Sequence, residues 1–153
     1  MKKISVKEER CLGCRLCEYY CAYANACGGT PSPLDMAKTL KGKTIHPRIR
    51  VEDQTFGEDN SVHFAVNCRE CPDPICVRSC ISGALTKGDD GVVTVDRDKC
   101  VGCETCVLVC PYGAILPTED GVMQKCEMCL KNTCGTPACV ANCPNRAIVL
   151  EEV

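Results

Sequence analysis

Sixteen of the eighteen cysteines in this 153-residue chain fall into four groups of four. Cys11, Cys14, Cys17 and Cys21 are spaced C-x2-C-x2-C-x3-C, and Cys100, Cys103, Cys106 and Cys110 repeat that spacing with Pro111 after the last cysteine. Cys68, Cys71, Cys76 and Cys80 run C-x2-C-x4-C-x3-C, while Cys126, Cys129, Cys139 and Cys143 run C-x2-C-x9-C-x3-C and are followed by Pro144. Thiolates at such intervals are the ligand pattern of cubane iron-sulfur clusters, whose chemistry is reversible electron uptake. Three thiolates on one short loop wrap a single cubane. A cysteine about one helical turn past the third points away from that cubane and can ligate a neighbour, so the groups work in pairs. Four complete groups imply four 4Fe-4S clusters, or about sixteen iron atoms.

Other uses of cysteine fit less well. Paired C-x2-C motifs also build zinc ribbons, but zinc does not call for the C-x2-C-x2-C triplet. A disulfide scaffold belongs to an oxidising compartment, and Met1 to Val6 carries neither an apolar signal run nor a twin arginine. A cytoplasmic location is the expectation. Cys27 and Cys134 are left over and are expected to be small buried or loop residues rather than ligands. In the fourth group Cys134 competes with Cys139, but Cys139-x3-Cys143-Pro144 repeats the ending of the other groups. His46 and His63 stand alone and read as ordinary surface or strand residues. The Lys and Arg residues are scattered as on a solvated surface, and Ile75, Val77, Leu108 and Val109 are expected to pack around cubanes.

No site for other chemistry is visible. Gly28-Gly29, and Gly88 with Gly91, match neither a dinucleotide-binding nor a phosphate-binding loop, and no nucleophile is paired with a base. A cubane held by four thiolates leaves no iron open to substrate, so the expectation is an electron carrier and not an enzyme. Lys plus Arg number 18 against 20 Asp plus Glu, which gives no nucleic-acid footprint, and no apolar run is long enough to enter a membrane. The formal charge of −2 treats the cysteines as neutral. Four oxidised clusters with their thiolates would bring it to about −10, so a basic rim is expected on a redox partner.

The elements that must position these cysteines are short. Cys80-Ile81-Ser82-Gly83-Ala84-Leu85, Cys110-Pro111-Tyr112-Gly113-Ala114-Ile115 and Cys143-Pro144-Asn145-Arg146-Ala147-Ile148 are three versions of one unit, each leading into an apolar strand. Leu85 to Lys87 and Val92 to Val95 flank Gly88-Asp89-Asp90-Gly91, a hairpin signature, and Thr118-Glu119-Asp120-Gly121 is a related tip. Ile75 to Ser79 and Glu104 to Val109 have room for only one or two helical turns. Gly28 to Pro33 is a loop by composition, and the alternation of Arg48 to Glu52 predicts a strand pairing with Val62 to Val66 across a tip at Asp53 to Asn60. With no tryptophan, two phenylalanines and four tyrosines, the chain has little material for an ordinary core, and the clusters must stand in for it. The expected organisation is one domain, 1–153, with an inner module at 68–116, an outer module from 1–26 plus 117–153, and an insertion at 27–67.

On these motifs the chain resembles the four-cluster ferredoxin-like electron-transfer subunits of molybdenum and tungsten oxidoreductases, hydrogenases and carbon monoxide dehydrogenases. The resemblance implies an α+β fold, a duplicated bacterial 2×(4Fe-4S) ferredoxin with two pseudo-symmetric modules of short helices and β-hairpins. It also implies four ligand sets: Cys11, Cys14, Cys17 with Cys143; Cys126, Cys129, Cys139 with Cys21; Cys68, Cys71, Cys76 with Cys110; and Cys100, Cys103, Cys106 with Cys80. Ala22 and Ile81 replace the proline that commonly follows a last cysteine, which weakens a turn without touching a ligand. Cys11 to Glu18, Cys76 to Ala84 and Cys106 to Cys110 look most like the iron-sulfur partner of carbon monoxide dehydrogenase. That likeness implies onward transfer to a flavin-dependent NAD(P) oxidoreductase or an energy-converting hydrogenase. A tungsten aldehyde:ferredoxin oxidoreductase, or another molybdopterin enzyme, is the alternative partner. An iron-sulfur sensor is a weaker reading, since the chain has no output domain beyond its motifs.

Overall fold

No strand among the described residues has more than one partner, so every β-element has one edge that must find hydrogen bonds elsewhere. The computed structural model describes residues 2–28, 32–57, 60–130 and 135–152. In chain order these form β1 (Lys2–Val6), a 3-10 turn (Glu8–Arg10), α1 (Leu16–Cys27), α2 (Pro33–Leu40), β2 (Ile49–Phe56), β3 (Asn60–Asn67) and α3 (Ile75–Arg78). There follow β4 (Leu85–Lys87), β5 (Val93–Val95), α4 (Thr105–Val109), β6 (Leu116–Pro117), β7 (Met123–Gln124), α5 (Ala138–Ala141) and β8 (Ile148–Glu152). The class is α+β. All four pairings are antiparallel: β1 with β8, β2 with β3, β4 with β5 and β6 with β7. No helix among the described residues is long and apolar enough to cross a membrane.

The short helices and the β4–β5 and β6–β7 hairpins lie where turn chemistry places them. The Asp90 carboxylate accepts from the Val92 N–H at 3.0 Å, and Asp120 does the same for Val122 at 3.2 Å, so the two hairpin tips are closed alike. The insertion differs from expectation in two ways. Strands β2 and β3 run on to Phe56 and from Asn60, with Asp53 opposite His63. Most of the expected tip is therefore strand: the pairing runs on from Asp53 opposite His63 to Phe56 opposite Asn60, although the buried alternation stops at Glu52. Residues 33–40 are helical: Ser32 caps α2 by accepting from the Asp35 N–H at 3.2 Å, and Pro33 occupies the first turn.

All four C-x2-C loops share one backbone device. The residue before the second cysteine is left-handed in each: Gly13 at φ 67°, Glu70 at 45°, Gly102 at 67° and Met128 at 54°. A residue with a Cβ occupies this region at a cost of about 1–2 kcal/mol. Gly102 is fixed further by close approach, since a Cβ there would lie 2.8 Å from the Gly121 carbonyl oxygen at the tip of the β6–β7 hairpin.

Thiols make up much of the interior. Ile4, Ile49, Val51 and Ile148 pack with Cys17, Cys21, Cys126 and Cys139, and a second cluster packs Leu85, Val93, Ile115 and Met123 with Cys106. Leu108 corrects an expectation: it is 84 % exposed. It lies two residues, about 200° of helix, past the buried Cys106 and so faces out. Ile75, on the one-turn helix α3, is also exposed, whereas Val77 packs against the second cluster.

The close approach at Gly102 separates two costs. Gly83 is equally left-handed at φ 66° but has open space around it. Gly102→Ala is expected to lose about 2–4 kcal/mol and Gly83→Ala about 1 kcal/mol, read as anaerobic chemical unfolding of the iron-loaded protein. Equal losses would mean that the hairpin tip yields freely.

Candidate cluster-binding sites

The structure gathers cysteines from distant motifs around common cavities. One cavity is lined by Cys11, Cys14 and Cys17 together with Cys143, which arrives from the other end of the chain. A second is lined by Cys100, Cys103 and Cys106 together with Cys80. In both, the fourth thiol follows a short helix, α5 before Cys143 and α3 before Cys80. Cys17, Cys21, Cys126 and Cys139 pack together in the interior, whereas Cys68, Cys71, Cys76, Cys110 and Cys129 are half-buried. Burial first, and then charge at Cys126, Cys21, Cys129 and Cys17, raises Cys139, and burial raises Cys76 with smaller contributions from Cys110 and Cys71. No three His, Cys, Asp or Glu side chains among the described residues converge on a point as one metal ion requires. Thiols spread around a cavity are instead the donor set for a polynuclear iron-sulfur group. Cys27 ends α1 exposed, and Cys134 lies outside the described residues.

The β2–β3 hairpin is the wall of the first cavity, to which it contributes Val51 and Ala65. The His63 ring lies over Gly13, where a Cβ would come within 2.7 Å of it. His63 Nδ1 is 2.7 Å from Asp53 Oδ1, and Asp53 also binds Arg15. His63 and Arg15 together hold the Asp53 carboxyl below its ordinary value. His63, expected to be an ordinary strand residue, thus braces the Cys11–Cys17 loop.

Backbone amides reach several sulfurs. The Arg48 N–H donates to Cys21 Sγ at 3.2 Å, Ala147 N–H to Cys143 at 3.3 Å and Met128 N–H to Cys126 at 3.4 Å. Burial dominates the thiol electrostatics. It pushes Cys17, Cys68 and Cys126 up to about 12, and Cys21 and Cys106 to about 11. Cys103 moves the other way, lowered first by the Thr105 hydroxyl, which donates to it at 3.5 Å.

Five charged side chains have roles that the sequence does not announce. Glu18, Glu70 and Glu127 are buried next to or inside the cysteine loops, and each accepts a backbone N–H from the open edge of a strand. Glu18 takes Val51 at 2.6 Å, Glu70 takes Val93 at 2.8 Å and Glu127 takes Val95 at 2.9 Å. Arg48 pairs with Glu127 at 2.8 Å, and Lys125 pairs with Glu70 at 3.0 Å, both of the latter side chains fully buried. Burial works against the charge of Lys125, but Cys68, once ionised, and the Glu70 carboxylate outweigh it and its pKa is raised. Lys125 therefore departs from the expected solvated scatter. The one signal available was an acidic residue inside a C-x2-C loop, at Glu70 and Glu127.

Comparison with known proteins points to iron-sulfur relatives. Residues 60–153 match the family described as a 4Fe-4S dicluster domain. Across 154 residues the chain is 34 % identical to a component of the anaerobic dimethyl sulfoxide reductase of Escherichia coli, covering 94 % of this chain and 69 % of that one. It is 36 % identical over 157 residues to a subunit of the sulfite dehydrogenase of Allochromatium vinosum, covering 94 % and 65 %. It is 32 % identical over 156 residues to the electron transport protein HydN of Escherichia coli, covering 92 % and 82 %. In a longer relative from Escherichia coli the aligned part is 21 % of the protein.

The raised thiols give a pH dependence in two opposite senses. Near neutral pH Cys17, Cys21, Cys68, Cys106 and Cys126 are protonated, so loading apo-protein with iron and sulfide is expected to release a proton from each as it ligates and to strengthen as pH rises. In the iron-free fold, stability is full below the ordinary thiol value of 9.0 and falls as pH climbs towards about 12, because the unfolded chain ionises first. Proton release during anaerobic reconstitution, and thermal melts of the apo-protein against pH, check the two. Loading without proton release would show that the thiols are already ionised.

Proposed function

The chain belongs to the 4Fe-4S dicluster domain family, and from that premise we propose that it is a non-catalytic electron-transfer subunit with four clusters arranged as a wire between two redox partners. The observation that carries this is the sorting of distant cysteines into common cavities. The proposed ligand sets are Cys11, Cys14, Cys17 and Cys143; Cys21, Cys126, Cys129 and Cys139; Cys68, Cys71, Cys76 and Cys110; and Cys80, Cys100, Cys103 and Cys106. Each cluster, when bound, would take up and release electrons at a potential set by its surroundings. The protein residues hold the thiolates, donate N–H groups to their sulfurs and exclude water through the packed side chains around Cys17, Cys21, Cys126 and Cys139.

The pairing of β1 with β8 supports a two-module organisation, an outer module from 1–26 and 117–153 around an inner one at 68–116. The insertion 27–67 supplies the wall and the Cys21 amide donor described above. Exposure supports a direction along the molecule. Cys14 and Cys103 are exposed beside Leu12 (71 % exposed) and Val101 (66 %), whereas Cys21, Cys126 and Cys139 are buried. These two exposed loops are the proposed contact points for partners.

The relatives named as components of a dimethyl sulfoxide reductase and a sulfite dehydrogenase support a catalytic oxidoreductase as one partner. Carbon monoxide dehydrogenase is the first to test, on the likeness of Cys76 to Ala84, with a flavin NAD(P) oxidoreductase or hydrogenase as acceptor. A tungsten aldehyde oxidoreductase or other molybdopterin enzyme is the second. A cytoplasmic setting fits this role.

Anaerobic iron and acid-labile sulfide analysis with an EPR-monitored redox titration is expected to find about sixteen of each. Cys143→Ser is expected to alter or remove the cluster of Cys11, Cys14 and Cys17, about a quarter of the iron. Well under sixteen iron in the unsubstituted protein, or a Cys143→Ser effect confined to the site of Cys126, Cys129 and Cys139, would overturn the assignment.

A further inference from the structure

Lys125 and Glu70 are both fully buried, at 0 % side-chain exposure, and have no part in ligation. The ammonium has three acceptors, Glu70 at 3.0 Å and the carbonyls of Val93 and Cys126, which use all three of its donors. The second Glu70 oxygen accepts the Val93 N–H at 2.8 Å. Glu70 lies within the Cys68–Cys71 loop, and Lys125 immediately precedes Cys126. The ion pair is therefore placed where two cysteine loops from different motifs meet.

Burying such a pair costs desolvation on both sides, and a neutral amide at position 70 could accept the Val93 N–H without a buried charge. What a neutral side chain would not supply is a field. In a water-excluded interior a fixed charge acts strongly on neighbouring redox groups, favouring the more negative, reduced form when it is positive. The two charges are divided between the loops: the carboxylate belongs to the Cys68–Cys71 loop, and the ammonium donates to the Cys126 carbonyl in the other.

We propose that the Glu70–Lys125 ion pair is an internal potential-setting element for the two clusters held by the Cys68 and Cys126 loops, and not for the two end clusters. The pair lies off the electron carriers and acts through them, as a positioning and tuning element. The proposal rests on the four-cluster assignment above. It biases two neighbouring sites in the middle of the wire with one buried device.

The test is an EPR-monitored titration of intact, iron-loaded protein carrying Glu70→Gln, Lys125→Met or both. Glu70→Gln, which removes a negative charge, is expected to raise two of the four potentials, Lys125→Met, which removes a positive one, to lower the same two, and the double substitution to shift those two and no others. Each shift is expected to reach about tenfold in the reduction equilibrium, or ~59 mV for a one-electron couple, with the other two potentials unmoved. Should a single substitution leave an unpaired buried charge and fail to load, the charge-neutral double variant carries the test. Unshifted potentials in a fully loaded double variant, or equal shifts at all four clusters, would overturn the proposal. A shortfall of iron in the unsubstituted protein would instead overturn the four-cluster assignment.

Discussion

Sulfur occupies the space that aromatic side chains fill in most domains of this size. Of the aromatic side chains only Tyr20 is buried, while Cys17, Cys21, Cys106, Cys126 and Cys139 all are. A thiol is a small hydrophobe and covers little area, so its packing contribution is modest. The geometry of the loops is therefore held by other means: left-handed residues before each second cysteine, short helices that bring in a fourth thiol, and side-chain carboxylates that tie loop to strand. Each serves to keep four sulfurs around a cavity in a chain with little apolar core.

The two-stranded elements follow from the same economy. A hairpin with one open edge leaves N–H groups unpaired unless something accepts from them. Glu18, Glu70 and Glu127 do so for Val51, Val93 and Val95. Because these glutamates lie beside cysteines, closing a strand edge and placing a cysteine loop are one event. The buried negative charge this entails is balanced by Arg15, Lys125 and Arg48 respectively. The electrostatics around the thiols thus arise from the hydrogen-bonding needs of short strands, with no separate structure devoted to them.

Sequence alone located what depends on local chemistry. The cysteine spacings, the hairpins at Gly88 to Gly91 and Thr118 to Gly121, and the one-turn helices α3 and α4 are all visible because turn residues and ligand intervals are local. Helix α2 carried a readable start in Ser32-Pro33-Leu34-Asp35 that the surrounding glycines and prolines masked. The roles of His63, Glu70 and Lys125 were out of reach, since each depends on which distant loop or edge lies opposite. Lys125 is one of 18 Lys and Arg residues, and only burial beside Glu70 sets it apart. Leu108 shows the converse: an apolar residue next to a ligand cysteine reads as packing until the helix phase is known.

The antiparallel join of β1 to β8, with Lys2 opposite Glu152, has a consequence for biosynthesis. During vectorial synthesis Cys11, Cys14 and Cys17 leave the ribosome first, yet the thiol that shares their cavity is Cys143 and the strand that closes beside them ends at Glu152. The thiols of residues 68–110 can find one another while translation continues. The earliest thiols wait until the latest have emerged, so the first cavity is the last to be completed and its cysteines spend longest on the nascent chain without their full set of neighbours.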